Sequence, residues 1–117
     1  MSILIIINDA PYGTEKAFNA LRLAMTLKRK NPELILRIFL LADSVGCGLP
    51  GQKTPSGYYN IETMLKSLIS KEIEVKACGL CLEARGLKNL NLIEGIQRSN
   101  MIEFAEWVKD SDKIITF

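Results

Sequence analysis

The residues with the clearest chemical capacity are two thiols, in Cys78-Gly79-Leu80-Cys81. A CxxC spacing at a strand-to-helix junction places both sulfurs within one helical turn, where a helix start favours thiolate over thiol. That arrangement suits a redox dithiol, a sulfur carrier, or two small buried hydrophobes. The third cysteine, Cys47, stands apart from the pair. Three thiols in a chain without a single histidine fall short of the four ligands of a structural zinc site. The missing histidine also removes Ser-His-Asp and Cys-His catalysis and the commonest general base.

Two further patterns invite a chemical reading. Gly46-Cys47-Gly48-Leu49-Pro50-Gly51 matches GxGxxG directly after a strand pattern, and Gly51-Gln52-Lys53-Thr54 falls one residue out of register with the end of a P-loop. A dinucleotide site needs a helix start at the third glycine. Here Pro55, Ser56 and Gly57 follow instead, so the segment 45–58 reads as one mobile glycine-rich loop and no cofactor is expected. Asp9 and Asp43 form a carboxylate pair on paper, suited to acid–base work or magnesium. Aspartate at a strand-to-helix junction is also an ordinary turn or capping residue. With no third acidic residue at a strand end the turn reading is preferred, and no metal is expected.

The elements that position these groups follow from periodicity. Ile3 to Ile7 is an uninterrupted β-branched run, as expected of a strand covered on both faces, and Asn8-Asp9-Ala10-Pro11-Tyr12-Gly13 ends it in a turn. Ala17, Leu21, Ala24, Met25 and Lys28, widened by Phe18 and Leu27, predict a helix from about Thr14 to Lys30, stopped by Asn31-Pro32. Ile35 to Leu41 is a second buried strand. A helix is predicted from about Asn60 to Ser70, and Ile73, Val75 and Ala77 alternate with Glu74 and Lys76 as a third strand with one wetter face. Residues 79–86 read as a short helix ending at Gly86. Asn100 to Glu103 resembles a capping box opening a last helix, with Met101, Phe104, Ala105 and Val108 on one face and Trp107 beside them. Lys113 to Phe117 closes the chain as another strand.

Strands separated by helices imply right-handed crossovers and a largely parallel sheet, with chemistry at the carboxyl ends of the strands. Those ends carry Asn8-Asp9, Asp43-Ser44 and Cys78, which should gather on one rim. Lys76, on the strand face of Cys78, and Arg85 are expected to lower the Cys78 pKa, with Glu83 opposing them. Cys78 is therefore the expected reactive thiol, with Cys81, Arg85, Asn8, Asp9 and Asp43 as candidate supports.

At 117 residues, 48% hydrophobic and 24% charged, the chain reads as one ordinary globular α/β domain over 1–117. A net charge of +2, with cations scattered and the densest cluster, Lys28-Arg29-Lys30, at a helix end, argues against nucleic acid. The opening Met1 to Ile7 lacks the basic flank and cleavage site of a signal peptide and is too short to span a bilayer. Together with an odd cysteine count, this predicts a cytoplasmic location and no membrane partner.

The order and spacing of Ala10-Pro11-Tyr12-Gly13, Leu21-Arg22-Leu23-Ala24, Gly51-Gln52-Lys53, Tyr59-Asn60-Ile61, Cys78-Gly79-Leu80-Cys81, Arg85-Gly86 and the ending after Trp107 resemble the DsrE/DsrF-like family, specifically its short YchN-like branch, over nearly the whole chain. The resemblance implies a three-layer α/β sandwich, with a mainly parallel sheet of about five strands between helices. It further implies a homohexamer or homotrimer, and a role in intracellular sulfur trafficking between donor and acceptor proteins. Some members carry sulfur as a persulfide on a cysteine placed like Cys78. Cys81 fits the branch, whereas Cys47 lies outside its pattern.

Overall fold

The run from Ser2 to Ile7 has no polar face, and a strand of that kind is stable only with neighbours on both edges and layers on both sides. The computed structural model, which describes residues 1–117, satisfies this in full. All six residues of β1 (Ser2–Ile7) are buried, between β2 (Ile35–Leu40) and β5 (Lys113–Thr116). The sheet has five parallel strands in the order β4-β3-β2-β1-β5, completed by β3 (Glu74–Cys78) and the edge strand β4 (Ile96–Ser99). The two apolar runs, β1 and β2, are interior and paired with each other, Ile3 opposite Leu36 and Ile7 opposite Leu40, as their composition predicts.

From β1 to β4 the chain advances in one direction across the sheet, then returns over three strands to β5. Right-handed crossovers in opposite directions put their helices on opposite faces. α1 (Lys16–Lys30) and α2 (Ile61–Ser70) accordingly pack against each other on one face. α4 (Met101–Asp110) lies on the other, where Phe104 and Trp107 meet Phe39 of β2 with ring centroids 4.5 and 5.9 Å apart. The short α3 (Gly79–Ala84) follows β3 directly and packs on a 3-10 helix, Ala42–Gly48, that follows β2.

Local chemistry explains most element ends. Thr14, expected inside α1, stands before it: its hydroxyl donates to Asp9 Oδ2 at 2.6 Å, and the helix starts at Lys16. Asn60 caps α2 by accepting from the Thr63 N–H at 3.0 Å, and Asn100 caps α4 through the Glu103 N–H at 2.9 Å, each worth about 1 kcal/mol. Arg85 closes α3, and Gly86 takes the positive φ of 72° that ends it.

Three expectations need correction. The last helix buries Trp107, with Phe104 and Val108 half-buried, but leaves Met101 and Ala105 exposed, because α4 meets the sheet through Phe104 and Trp107 on Phe39. β4 has no counterpart among the elements read from sequence, since its only buried apolar residue is Ile96. The segment 45–58 is not one loop: Val45, Cys47 and Gly48 are buried within the 3-10 helix, and only residues 49–60 lack regular structure.

Candidate functional site

The end of β3 delivers Cys78 to the carboxyl rim of the sheet, opposite Ser99 of β4. Its side chain turns back as the N-cap of α3, and Sγ accepts the Cys81 N–H at 3.2 Å. Gly79 lets β4 come close. A Cβ on it would lie 3.0 Å from the carbonyl oxygen of Ser99, so a side chain would need β4 to give by a few tenths of an ångström.

Cys81, half-buried, faces the end of β2. Its Sγ accepts the N–H of Ala42 at 3.3 Å. Ala42 adopts φ +51°, a left-handed conformation that costs a non-glycine residue about 1 kcal/mol or more. Arg85 then ties the layers together. Its Nε and Nη2 both reach Asp43 Oδ1 at 2.9 Å, and Nη1 donates to the Cys81 carbonyl at 3.0 Å. Being largely exposed, this ion pair contributes at most about 1 kcal/mol, and its effect is to orient.

The structure therefore brings Cys78, Cys81, Asp43 and Arg85 into one group. Asn8 and Asp9 do not join it. They leave β1, two strands and roughly 10 Å from β3 by sheet spacing. Asn8 bonds the Phe117 carbonyl through its backbone N–H at 2.9 Å, and Asp9 accepts from Thr14. Asp9 and Asp43 serve separate turns, and no cluster of His, Cys, Asp or Glu is arranged to hold a metal ion. The GxGxxG segment offers no phosphate cradle either. The Gly51 N–H donates to the Glu62 carboxylate at 2.8 Å, and the next helix begins only at Ile61.

The expected acidification of Cys78 is overturned. Burial is the largest influence and raises its pKa, the neighbouring Cys81 thiol raises it further, and the backbone N–H groups of Cys81 and Leu80 only partly offset them. Neither cation compensates. Lys76 lies on the same face but sits 3.5 Å from Glu103 Oε1 and 4.7 Å over the Trp107 ring, while Arg85 is spent on Asp43. Glu103 in turn accepts from the Ser99 hydroxyl at 2.6 Å, which with Lys76 holds its carboxyl below the usual range. Cys47 is more deeply shut away, its thiol pushed by burial to about 12.

Ala42, Ser99 and Glu103 escaped the sequence reading. Ala42 contributes only a backbone N–H, which has no side-chain signature. Ser99 and Glu103 could have been found only with β4 in place.

Comparison with known proteins matches this architecture. The model of the DsrE/DsrF-like family matches residues 1–117. The chain belongs to the DsrE/DsrF-like family. It is 44% identical over 115 residues to the protein YchN of Escherichia coli, covering 98% of this chain and 97% of that one. An uncharacterized protein of Methanopyrus kandleri is 42% identical over 115 residues, covering 98% and 93%. The crystal structure of YchN superposes with a TM-score of 0.94, covering 99% of this chain and 98% of that one. The YchN-like resemblance and the parallel α/β fold are thereby established.

One outcome follows for the isolated chain. Since the raised pKa delays thiolate formation, Cys78 should alkylate with iodoacetamide several-fold more slowly than free cysteine at pH 7. Its rate should rise with pH to a midpoint above the ~8.5 of a free thiol. Peptide mapping of alkylation against pH checks this, and a midpoint below that value would contradict the burial argument.

Proposed function

We propose that this protein is a sulfur carrier or sulfurtransferase subunit that accepts sulfur as a persulfide on Cys78 and passes it between donor and acceptor proteins. The observation that carries the reading is the position of Cys78. In a family-typical chain, it is a thiol at the carboxyl end of β3 whose sulfur accepts the backbone N–H of Cys81. Such a donor stabilises a sulfur anion in the bound state more than a neutral thiol at rest. Cys78 and Cys81 line none of the four pockets of the molecule, which favours exchange with a protein-borne sulfur over capture of a small molecule in a cavity. No helix is long and apolar enough to cross a membrane. A cytoplasmic site of action fits free thiols, and no nucleic-acid partner is proposed.

A thiol–disulfide redox role is the second reading, favoured by the CxxC turn in which Cys78 Sγ accepts the N–H of Cys81 at 3.2 Å. A non-catalytic oligomeric subunit is the third. Incubation of Cys81→Ser and Cys78→Ser with inorganic polysulfide, followed by mass spectrometry, separates them. The carrier reading expects one added sulfur atom on the Cys78 peptide of Cys81→Ser and none in Cys78→Ser. No uptake by Cys81→Ser would sink it. Loss of two hydrogens on mild oxidation of the native chain, without such uptake, would leave the redox role standing.

Self-association into a homohexamer or homotrimer is part of the same proposal. Leu80, Met101 and Ile102, at the starts of α3 and α4, are 76%, 66% and 78% exposed, an apolar set that a neighbouring copy would cover. Sedimentation should show a trimer or hexamer at micromolar concentration, and a stable monomer would contradict it.

A further inference from the structure

We propose that Cys81 resolves the Cys78 persulfide, releasing its outer sulfur as hydrosulfide and leaving a Cys78–Cys81 disulfide for an external dithiol to reduce. The proposal rests on the persulfide reading and adds a fate for the bound sulfur, so that the pair forms a persulfide-reducing centre.

The geometry favours this attack over every competitor. Cys81 is three residues beyond Cys78 in the first turn of α3, a spacing of roughly 5–6 Å between β-carbons that contracts into a disulfide with little backbone movement. Cys78 Sγ already accepts the N–H of Cys81 at 3.2 Å, so the attack is intramolecular and carries a large effective concentration. An external thiol has no comparable access to the inner sulfur, since Cys78 is only 8% exposed. Cys47 is no rival, being almost wholly buried within the 3-10 helix.

The N–H of Ala42 supplies what the attacking sulfur needs. It donates to Cys81 Sγ at 3.3 Å from the end of β2, and Arg85 braces the same residue through its carbonyl. The first contact fixes the side chain and the second the backbone before sulfur arrives, which lowers the cost of ordering the thiol.

The step balances. Cys81 gives its proton to water, and its sulfur lone pair forms the new bond to Cys78 Sγ. The bond from Cys78 Sγ to the outer sulfur breaks, and that electron pair leaves with the outer sulfur, which keeps its own proton as HS⁻. The persulfide sulfur is reduced and the two cysteines are oxidised. A dithiol then returns the disulfide to two thiols by exchange, becoming a disulfide itself.

Native chain, Cys81→Ser and Cys81→Ala are exposed to inorganic tetrasulfide and freed of excess by gel filtration. Released hydrosulfide and intact mass are then followed in time, after circular dichroism has shown native helix content. The native chain is expected to release hydrosulfide in stoichiometric yield and to end two hydrogens lighter than the reduced form. Both variants should retain one added sulfur and release it only when a small thiol is supplied. A native chain that keeps its added sulfur as long as the variants do would overturn the resolving role while leaving the carrier reading intact. Folded variants that take up no sulfur would overturn both.

Discussion

The pairing of β2 with β3 sets everything at the rim. Leu40 lies opposite Ala77, so the two strands end level, and the chain leaves one at Leu41 and the other at Cys78. From there Ala42 can place its N–H on Cys81, and Asp43 can meet Arg85. A slip of one residue would turn Cys78 and Lys76 to the opposite face and exchange them with Val75 and Ala77, which are wholly buried. The register is held firmly because β1 is apolar on both faces, β2 is apolar but for Arg37, and β3 is apolar on one face. The rim inherits its precision from the core.

The same arrangement decides the electrostatics. A cysteine ending a buried strand is desolvated, and that effect outweighs the N–H groups aimed at it. The cations that might have reversed the balance are neutralised locally, Lys76 by Glu103 and Arg85 by Asp43. On the carrier reading, Cys78 therefore rests as a thiol and reacts through the small thiolate fraction that remains.

Much of this was legible in the residues. The unbroken run from Ile3 and the run from Ile35, interrupted only by Arg37, read as interior strands, and Asn60 and Asn100 marked two helix starts through ordinary capping chemistry. The CxxC was visible as spacing, and its place at a strand end followed from the alternation of Ile73, Val75 and Ala77. What stayed hidden depended on contacts between distant segments. β4 is a short edge strand whose exposed Gln97 and Arg98 carry no apolar alternation. The left-handed Ala42 gives no residue-type signal, since glycine or asparagine is the usual marker of that conformation. Arg85 was read as a partner of Cys78 because sequence shows proximity along α3 but not the Asp43 carboxylate brought in from β2.

The most direct test of the account is diffraction from crystals of Cys81→Ser exposed to inorganic polysulfide, with anomalous scattering used to locate sulfur atoms. The account predicts one additional sulfur bonded to Cys78 Sγ, within reach of the backbone N–H groups at the start of α3. An unmodified Cys78 in fully exposed crystals, or sulfur added to Cys47 in its place, would contradict it.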